Sequence, residues 1–210
     1  MIAKTAFIGL GVMGYPMAGH LRRAGYAVTV YNRTLRKAER WVAEHGGALA
    51  QTPAVAAQGA DIVFACVGND DDLRAVVLGP TGALAGMAAG AILVDHTTAS
   101  AAVARELAGV AGERGIGFLD APVSGGQKGA ESGQLSIMAG GSEEVFARAA
   151  PVMAAYAKAM TLIGPVGSGQ LTKMVNQITL AGLTQALAEA LSFAQHADLD
   201  PEKVLAAIGK

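Results

Sequence analysis

Residues 9–14, Gly9-Leu10-Gly11-Val12-Met13-Gly14, place three glycines at fixed spacing near the start of the chain. Residues 5–9 predict a strand that leads into this stretch, and residues 12–24 predict a helix that leaves it. In such a unit the first glycine permits a tight turn, the second lets the backbone approach a pyrophosphate, and the third lets helix and strand pack closely. The N-terminus of the helix adds N–H groups and a partial positive charge. The motif therefore predicts a dinucleotide-binding βαβ unit.

Apolar, β-branched runs alternate with longer alanine-rich segments as far as residue 121. Strands are predicted at residues 5–9, 27–31, 61–67, 91–95 and 117–121, and helices near residues 12–24, 35–44, 53–57, 73–77 and 100–114. A strand–helix–strand order with nearly continuous apolar strands predicts a parallel sheet that is covered on both faces. The expected fold class is α/β, with a Rossmann-type doubly wound parallel sheet.

The pattern changes after residue 121. A glycine-rich stretch at residues 124–133 precedes a predicted strand at 135–139, a helix from about 142 to 158 and a last strand at 160–163. Residues 164–169 then begin one helical segment that continues to about His196, and Asp200-Pro201 predicts the start of another helix. We expect a nucleotide-binding domain at residues 1–162. Residues 163–210 should form a long interdomain helix and the start of an all-α domain.

Composition excludes several classes of protein. The 210 residues contain 16 Lys plus Arg and 17 Asp plus Glu, so a general nucleic-acid binder, which needs a basic face, is not expected. No window of about 20 residues is free of polar groups, and no signal peptide precedes the first strand, so neither a membrane nor secretion is expected. The single cysteine, Cys66, has no second cysteine for a disulfide, and no metal site is expected. These features predict a cytoplasmic protein.

The position that reads the ribose of a bound dinucleotide follows 18 residues after Gly14. A carboxylate there would accept hydrogen bonds from the ribose hydroxyls of NAD and would repel a 2′-phosphate. This chain has Asn32-Arg33-Thr34 instead, which is a donor-rich group suited to a dianion. The sequence therefore predicts NADP as the preferred cofactor, with NAD possible. Alternatively, Arg33 is an ordinary solvated arginine.

Three motifs follow one another along the chain: residues 9–18, Asp120-Ala121-Pro122-Val123-Ser124-Gly125-Gly126, and Gly167-Ser168-Gly169-Gln170-Leu171-Thr172-Lys173. Together they resemble the signatures of the β-hydroxyacid dehydrogenases. The family includes 3-hydroxyisobutyrate dehydrogenases, tartronate semialdehyde reductases, and glyoxylate or succinic semialdehyde reductases. The resemblance extends over the whole chain. It implies a Rossmann domain, a long interdomain helix and an all-helical C-terminal domain, of which this chain is expected to contain only the beginning.

The resemblance also implies roles for particular residues. Ser124, Gly125 and Gly126 match a loop whose backbone N–H groups and hydroxyl hold the substrate carboxylate. Val67 ends the third predicted strand, Thr98 follows the fourth, and both match positions beside the nicotinamide-side ribose and phosphates. The candidate cofactor-binding residues are then Gly9, Leu10, Gly11, Val12, Met13, Gly14, Asn32, Arg33, Thr34, Val67 and Thr98.

Lys173 matches the catalytic lysine of the family. Asn176 and Gln177 lie one turn further along the same predicted helix. Many family members carry asparagine four residues after the lysine, whereas this chain has Gln177 there and Asn176 one position earlier. We therefore expect Lys173 and Asn176 to be catalytic and Gln177 to bind substrate, although the two amides can share or exchange these roles. Partial burial of Lys173 would lower its pKa toward working pH.

The expected function is hydride transfer between a nicotinamide cofactor and a small β-hydroxyacid or its semialdehyde, with Lys173 as general acid and base. The candidate substrates are 3-hydroxyisobutyrate, tartronate semialdehyde, glyoxylate and succinic semialdehyde. One alternative is a non-catalytic NADP-binding module. Others are a relative of the 6-phosphogluconate dehydrogenases, which share the pattern of residues 124–130, or of the imine reductases, which share Asn-Arg-Thr but usually lack the lysine. A homodimer or higher homo-oligomer through the long helix is also expected.

Overall fold

The structure, a computed structural model, describes residues 3–209. In chain order its elements are β1 Lys4–Ile8, α1 Gly14–Arg23, β2 Ala27–Tyr31, α2 Leu35–His45, β3 Ala48–Leu49, α3 Pro53–Ala57, β4 Ile62–Ala65, α4 Asp70–Val77, α5 Ala83–Gly86, β5 Ile92–Asp95, α6 Ala101–Gly112, β6 Gly117–Asp120, β7 Val123–Ser124, α7 Gly126–Glu131, β8 Leu135–Gly140, α8 Glu143–Met153, β9 Ala157–Gly164, α9 Ser168–His196 and α10 Pro201–Ile208. The strands and helices alternate from the first strand to the last, except that α4 is followed directly by α5 and β6 directly by β7.

The strands form one sheet in the order β3-β2-β1-β4-β5-β6-β8-β7, with β9 paired to the other edge of β8. The first six strands of this order are parallel, and β1 lies between β2 and β4. The chain winds outward from β1 in one direction to β3 and then returns to continue from β4 in the other direction. The gap between β1 and β4 is therefore a topological switch point, where open α/β sheets bind ligands. The predicted fold class is confirmed.

Both faces of the central strands β1, β4 and β5 are buried, as their continuous apolar runs predict. In β1, Phe7 packs in a cluster with Trp41 and Tyr156 on one face. Ile8, its neighbour in sequence, packs with Leu107 on the other face. Successive strand residues point to opposite faces, so a strand that is covered on both sides needs apolar residues at every position.

The helix predicted at residues 142–158 is shorter than expected. Helix α8 ends at Met153, and Ala157 already begins β9, which runs parallel to β8. The alanines at residues 154–159 do not show where the helix ends, because alanine is equally suited to the interior and to the end of a helix. Burial of Tyr156, which is 0% exposed, fixes the turn between the two elements. The antiparallel pairing of β8 with β6 and β7 was also not predicted, since it depends on contacts far apart in sequence.

The chain divides into two compact units, Met1–Lys173 and Met174–Lys210. The first contains the sheet, its covering helices and the first residues of α9. The second contains the rest of α9 together with α10, and many of its large apolar side chains are exposed, among them Ile178, Leu183 and Phe193. Within residues 3–209, none of the helices combines the length and the apolar character that crossing a membrane requires. The domain boundary at residue 162 stays a prediction.

Candidate functional site

The three glycines of the first loop meet different surroundings. Gly9 has φ of 96°, and a Cβ on it would collide with the carbonyl of Cys66. A Cβ on Gly14 would collide with the carbonyl oxygen of Gly9, so α1 can pack against β1 only with glycine there. At Gly11, by contrast, a Cβ would meet nothing within 4 Å. Gly9 and Gly14 are therefore required by the fold, whereas Gly11 leaves a stretch of backbone open to a ligand.

A cavity of about 450 Å³ lies beside this loop, at the carboxyl ends of β1, β2 and β4. Its volume falls within the usual range of small-molecule sites. Eight of the candidate cofactor residues line it, while Leu10 is buried, Gly14 lies within α1, and Thr98 is exposed outside the lining. The eight are Gly9, Gly11, Val12, Met13, Asn32, Arg33, Thr34 and Val67.

The N-terminus of α1 suits the pyrophosphate of a dinucleotide. Among the described residues no side chain caps this end of the helix, and its first turn contains no acidic residue. The partial positive charge of the helix terminus is therefore not offset locally, and the open backbone at Gly11 adjoins it. The residues present fit a dinucleotide cofactor.

Asn32 lines the cavity and also braces the glycine loop. Its Oδ1 accepts a hydrogen bond from the amide of Leu10 at 2.9 Å, and its Nδ2 donates to the carbonyl oxygen of Thr34 at 3.0 Å. The side chain thus joins the glycine loop to the turn that begins α2. The two residues that follow it, Arg33 and Thr34, line the cavity as well.

Two charged side chains of the cavity were not singled out from the sequence. Lys37 lines the cavity from the first turn of α2, three residues after the N-cap Thr34, and this helical spacing is the signal that would have found it. Asp72 of α4 also lines the cavity and forms a 3.0 Å ion pair with Arg33, whose side chain is 84% exposed. No local pattern could have paired two residues that lie 39 positions apart.

The first turn of α9 is held by a carboxylate from the sheet. Asp120, at the end of β6, accepts hydrogen bonds from the amides of Gly167 at 2.7 Å and Gln170 at 2.9 Å. Burial raises the pKa of Asp120, while these backbone hydrogen bonds act in the opposite direction. Gly140 and Gly169 leave room for the approach, since a Cβ on either would crowd Asp120. The motif of residues 120–126 and the motif of residues 167–173 therefore meet here.

Gln170 extends this contact to the loop after β5. The residue is 0% exposed, and its Nε2 donates to the carbonyl oxygen of Thr97 at 2.7 Å. Its Oε1 accepts from the amide of Ala99 at 3.1 Å. Thr97 Oγ1 in turn accepts from the amide of Val67 at 3.1 Å. A hydrogen-bonded path thus joins the wall of the cofactor cavity to α9.

Lys173 follows one turn after Gln170 and ends the first unit. It is 8% exposed, and the loss of solvent around its ammonium lowers its pKa. A lowered pKa makes a lysine a stronger proton donor than a solvated lysine, which suits a general acid. Asn176, which is half-buried, and Gln177, which is exposed, belong to the second unit.

The predicted substrate loop follows the short strand β7. Ser124 is half-buried, whereas Gly125 and Gly126 are exposed. The two glycines have φ of 132° and 60°, values that side chains of L-residues rarely adopt. A Cβ on Gly126 would meet nothing within 4 Å, so this backbone is accessible to a small anion.

Two titratable side chains, Asp95 and His96, are buried beneath these loops, and the half-buried Cys66 lines the cavity. Burial raises the pKa of Asp95 to about 7, and it raises the pKa of the Cys66 thiol to about 12. Burial lowers the pKa of His96 to about 4, because the neutral ring is favoured. Its Nδ1 donates to the carbonyl oxygen of Ala121, and its Nε2 accepts from the hydroxyl of Tyr156 at 2.8 Å. Among residues 3–209, no group of three or more His, Cys, Asp or Glu side chains is arranged to hold a metal ion.

Comparisons with known proteins agree with this geometry. A family profile described as the NAD binding domain of 6-phosphogluconate dehydrogenase matches residues 4–164. A second, described as NAD-binding of NADP-dependent 3-hydroxyisobutyrate dehydrogenase, matches residues 167–210. An uncharacterized oxidoreductase of Shewanella frigidimarina is 63% identical over 209 residues, which cover 100% of this chain and 72% of that protein. The 2-hydroxy-3-oxopropionate reductase of Escherichia coli is 38% identical over 98% of this chain and 70% of its own length.

A solved structure supports the same assignment. The 3-hydroxyisobutyrate dehydrogenase of Mycobacterium tuberculosis, determined with L-serine, superposes with a TM-score of 0.92 at 34% sequence identity. The match covers 99% of this chain and 70% of that protein. The sequence motifs, the cavity beside the glycine loop and these relatives together show that the chain belongs to the β-hydroxyacid dehydrogenase family of NAD(P)-dependent oxidoreductases.

Proposed function

We propose that this protein interconverts a small β-hydroxyacid and its semialdehyde, or reduces glyoxylate, with NADP preferred over NAD and Lys173 as general acid and base. The observation that carries the proposal is the position of Lys173. It is buried, its pKa is lowered, and it follows the turn of α9 that Asp120 and Gln170 fasten to the carboxyl ends of β6 and β5. Open α/β sheets bind their ligands at that edge.

The chain's own groups divide the chemistry between them. A bound nicotinamide supplies the hydride acceptor or donor. Lys173 Nζ takes the hydroxyl proton when the substrate is oxidised and returns a proton to the carbonyl oxygen when it is reduced. Its lowered pKa makes the neutral form, which takes up the proton, more accessible than in a solvated lysine. Ser124 and the exposed amides of Gly125 and Gly126 hold the substrate carboxylate, and Asn176 and Gln177 orient the reacting group.

The preference for NADP rests on charge at the ribose end of the cavity. Arg33, Thr34 and Lys37 all line this region, and two of the three carry positive charge. A 2′-phosphate would gain charge-assisted hydrogen bonds from such groups. Asp72 neutralises part of that charge through its ion pair with Arg33, which is consistent with some use of NAD.

Replacement of Lys173 by methionine tests the catalytic role. The change keeps an unbranched, buried side chain and removes the proton, so kcat should fall by at least ~10²-fold while NADPH still binds. The rate of NADPH oxidation is measured with glyoxylate, succinic semialdehyde, methylmalonate semialdehyde and tartronate semialdehyde, and the rate of NADP reduction with L-serine. NADPH affinity is followed by fluorescence titration.

The outcomes of this experiment are distinct. Full activity of Lys173→Met would contradict the assigned role. A cyclic imine is assayed in addition, and its reduction by the wild-type chain without turnover of the other substrates would indicate an imine reductase. Binding of NADPH by the wild-type chain with no turnover of any substrate would identify a cofactor-binding module.

Self-association is proposed for the second unit. Ile178 and Phe193 are each 71% exposed and Leu183 is 65% exposed, an amount of exposed apolar surface that monomers rarely carry. We expect a homodimer or higher homo-oligomer. Light scattering should give at least twice the chain mass of 21.1 kDa, and a monomeric mass would contradict this expectation.

A further inference from the structure

We propose that Gln170 is a positioning residue, whose side chain holds the first turn of α9 in fixed register with the loop of residues 97–99 beside the cofactor cavity. The inference rests on the proposed role of Lys173, which follows one turn later on the same helix. Gln170 itself touches neither substrate nor cofactor in this scheme. It acts by fixing the distance between the proton-transfer group and the wall of the cavity.

Both ends of the Gln170 amide are used, and both bind backbone. Nε2 donates to the carbonyl oxygen of Thr97, and Oε1 accepts from the amide of Ala99. These two groups flank Thr98, which is the exposed residue of the loop. The side-chain amide therefore binds the loop on both sides of Thr98 and leaves Thr98 itself accessible.

The loop is connected to the cavity on its other side. The Oγ1 of Thr97 accepts a hydrogen bond from the amide of Val67, which lines the cavity. Asp95 accepts from the amide of Thr97 at 2.8 Å, and Asp70 accepts from the amide of Ser100 at 2.8 Å. These contacts fix the loop to the sheet and the cavity wall, and the Gln170 side chain then joins the loop to α9.

Glutamine suits this position because the two backbone groups demand one donor and one acceptor. A lysine has only donors, and an ionised glutamate has only acceptors. An apolar side chain of similar length would leave the carbonyl of Thr97 and the amide of Ala99 without this partner. Since Gln170 is 0% exposed, water does not reach it freely to replace the lost bonds.

The role of this side chain differs from that of a helix cap. The carboxylate of Asp120 already binds the amides of Gly167 and Gln170, so the start of α9 is capped without the side chain of Gln170. The amide of the Gln170 side chain adds nothing to that cap and is directed to another element. Its removal should therefore loosen the helix from the loop while the cap persists, and a small misplacement of a catalytic group can cost up to ~10²-fold in rate.

The test uses Gln170→Met, Gln170→Glu and, as a matched control, Thr172→Val. Thr172 lies between Gln170 and Lys173, and its Oγ1 donates to the carbonyl oxygen of Ser168 within α9 at 2.8 Å. The control therefore removes a hydrogen bond from the same turn without touching the loop. Folding of each variant is checked by the fluorescence of Trp41, which is fully buried in the first unit.

For Gln170→Met we expect kcat to fall by about 10- to 100-fold, with the Kd for NADPH changed by less than about threefold. The basic limb of the pH profile for substrate reduction should move to higher pH, because a less confined Lys173 regains a pKa nearer that of a solvated lysine. Thr172→Val should keep kcat within about twofold of wild type.

Gln170→Glu supplies a second readout. Once protonated, its carboxyl has the donor and acceptor that the loop requires, so kcat relative to wild type should recover as pH falls from 8 to 5.5. Asp120 of β6 binds the backbone amide of residue 170, and Asp95 of β5 binds the amide of Thr97 in the loop that the side chain contacts. The basic groups nearby are Lys173 on the same helix and Arg105 of α6, which lies beside Gly167. The two carboxyl groups favour the protonated form.

The outcomes separate this inference from the proposed function. If Lys173→Met is inactive while both Gln170 variants keep the kcat and pH profile of wild type, the positioning role is overturned. It is also overturned if Thr172→Val loses as much activity as Gln170→Met. Full activity of Lys173→Met would instead remove the proposed function itself.

Discussion

Replacing Asp95 with asparagine should make the stability of this protein less sensitive to pH. Asp95 lies at the end of β5, is 0% exposed, and has an Oδ2 without a hydrogen-bond partner among the described residues. Its pKa rises from 3.8 to about 7 because burial disfavours the charged form. The neutral carboxyl is thus the form that the fold accommodates, and ionisation above neutral pH acts against folding.

The sign and size of the effect follow from this pKa. An acid whose pKa is raised in the folded state contributes its full stability below about pH 3.8 and loses it as pH rises through about 7. Each pKa unit corresponds to about 1.4 kcal/mol, so the complete loss is about 4 kcal/mol, of which about 2–3 kcal/mol falls between pH 5 and pH 8. Asparagine keeps an Oδ1 for the amide of Thr97 and cannot ionise.

The assay is urea unfolding followed by the fluorescence of Trp41, the one tryptophan of the chain, at pH 5 and pH 8. Between pH 5 and pH 8, the free energy of unfolding of wild type should fall by about 2–3 kcal/mol more than that of Asp95→Asn. Asp198→Asn is the matched control, because Asp198 is exposed and its φ of 53° suits asparagine equally. An equal change with pH in wild type and Asp95→Asn would refute the reasoning.

Two further predictions concern the cofactor cavity. Arg33→Asp should lower kcat/KM for NADPH by about 10- to 100-fold, the value of a lost charge-assisted hydrogen bond, and should spare NADH. Arg36→Asp, an exposed neighbour outside the cavity lining, is its control, and an unchanged ratio of the two cofactors in Arg33→Asp would contradict the preference for NADP. Gly11→Ala should change the free energy of unfolding by less than about 0.5 kcal/mol, because a Cβ there meets no neighbour, but it should raise KM for both cofactors. Gly14→Ala should lower the free energy of unfolding by about 1–3 kcal/mol or more, because a Cβ there collides with the carbonyl of Gly9. Urea unfolding and steady-state kinetics measure both, and equal stability of the two variants would show that the glycines do not differ as their surroundings indicate.

Local sequence patterns predicted the elements that depend on neighbouring residues. The strand, glycine loop and helix at the start of the chain follow from periodicity and from backbone sterics, and both act within a few residues. The end of α8 did not follow in this way, because the burial of Tyr156 rather than a local helix-stop residue decides it. The antiparallel β8 likewise depends on pairing with strands that precede it by a glycine-rich connection.

The candidate site shows the same division. The motifs named Asp120, Gln170 and Lys173 as parts of signature stretches, but gave no role to the first two. Asp120 binds Gly167, which lies 47 positions away, and Gln170 binds Thr97, which lies 73 positions away. Lys37 and Asp72 were missed for a related reason, since their place in the cavity depends on how α2 and α4 pack at the edge of the sheet.

The sequence by itself determined the α/β class, the dinucleotide loop and the family, because glycine spacing and hydrophobic periodicity impose steric and burial demands that act locally. Only the tertiary structure decided that Asn32 braces the glycine loop, that Asp72 neutralises part of the charge of Arg33, and that Gln170 joins the lysine's helix to the cavity wall. These are contacts between elements that the chain brings together only after its crossovers have formed. No local pattern encodes them, since each partner alone is an ordinary polar residue at the end of its own element.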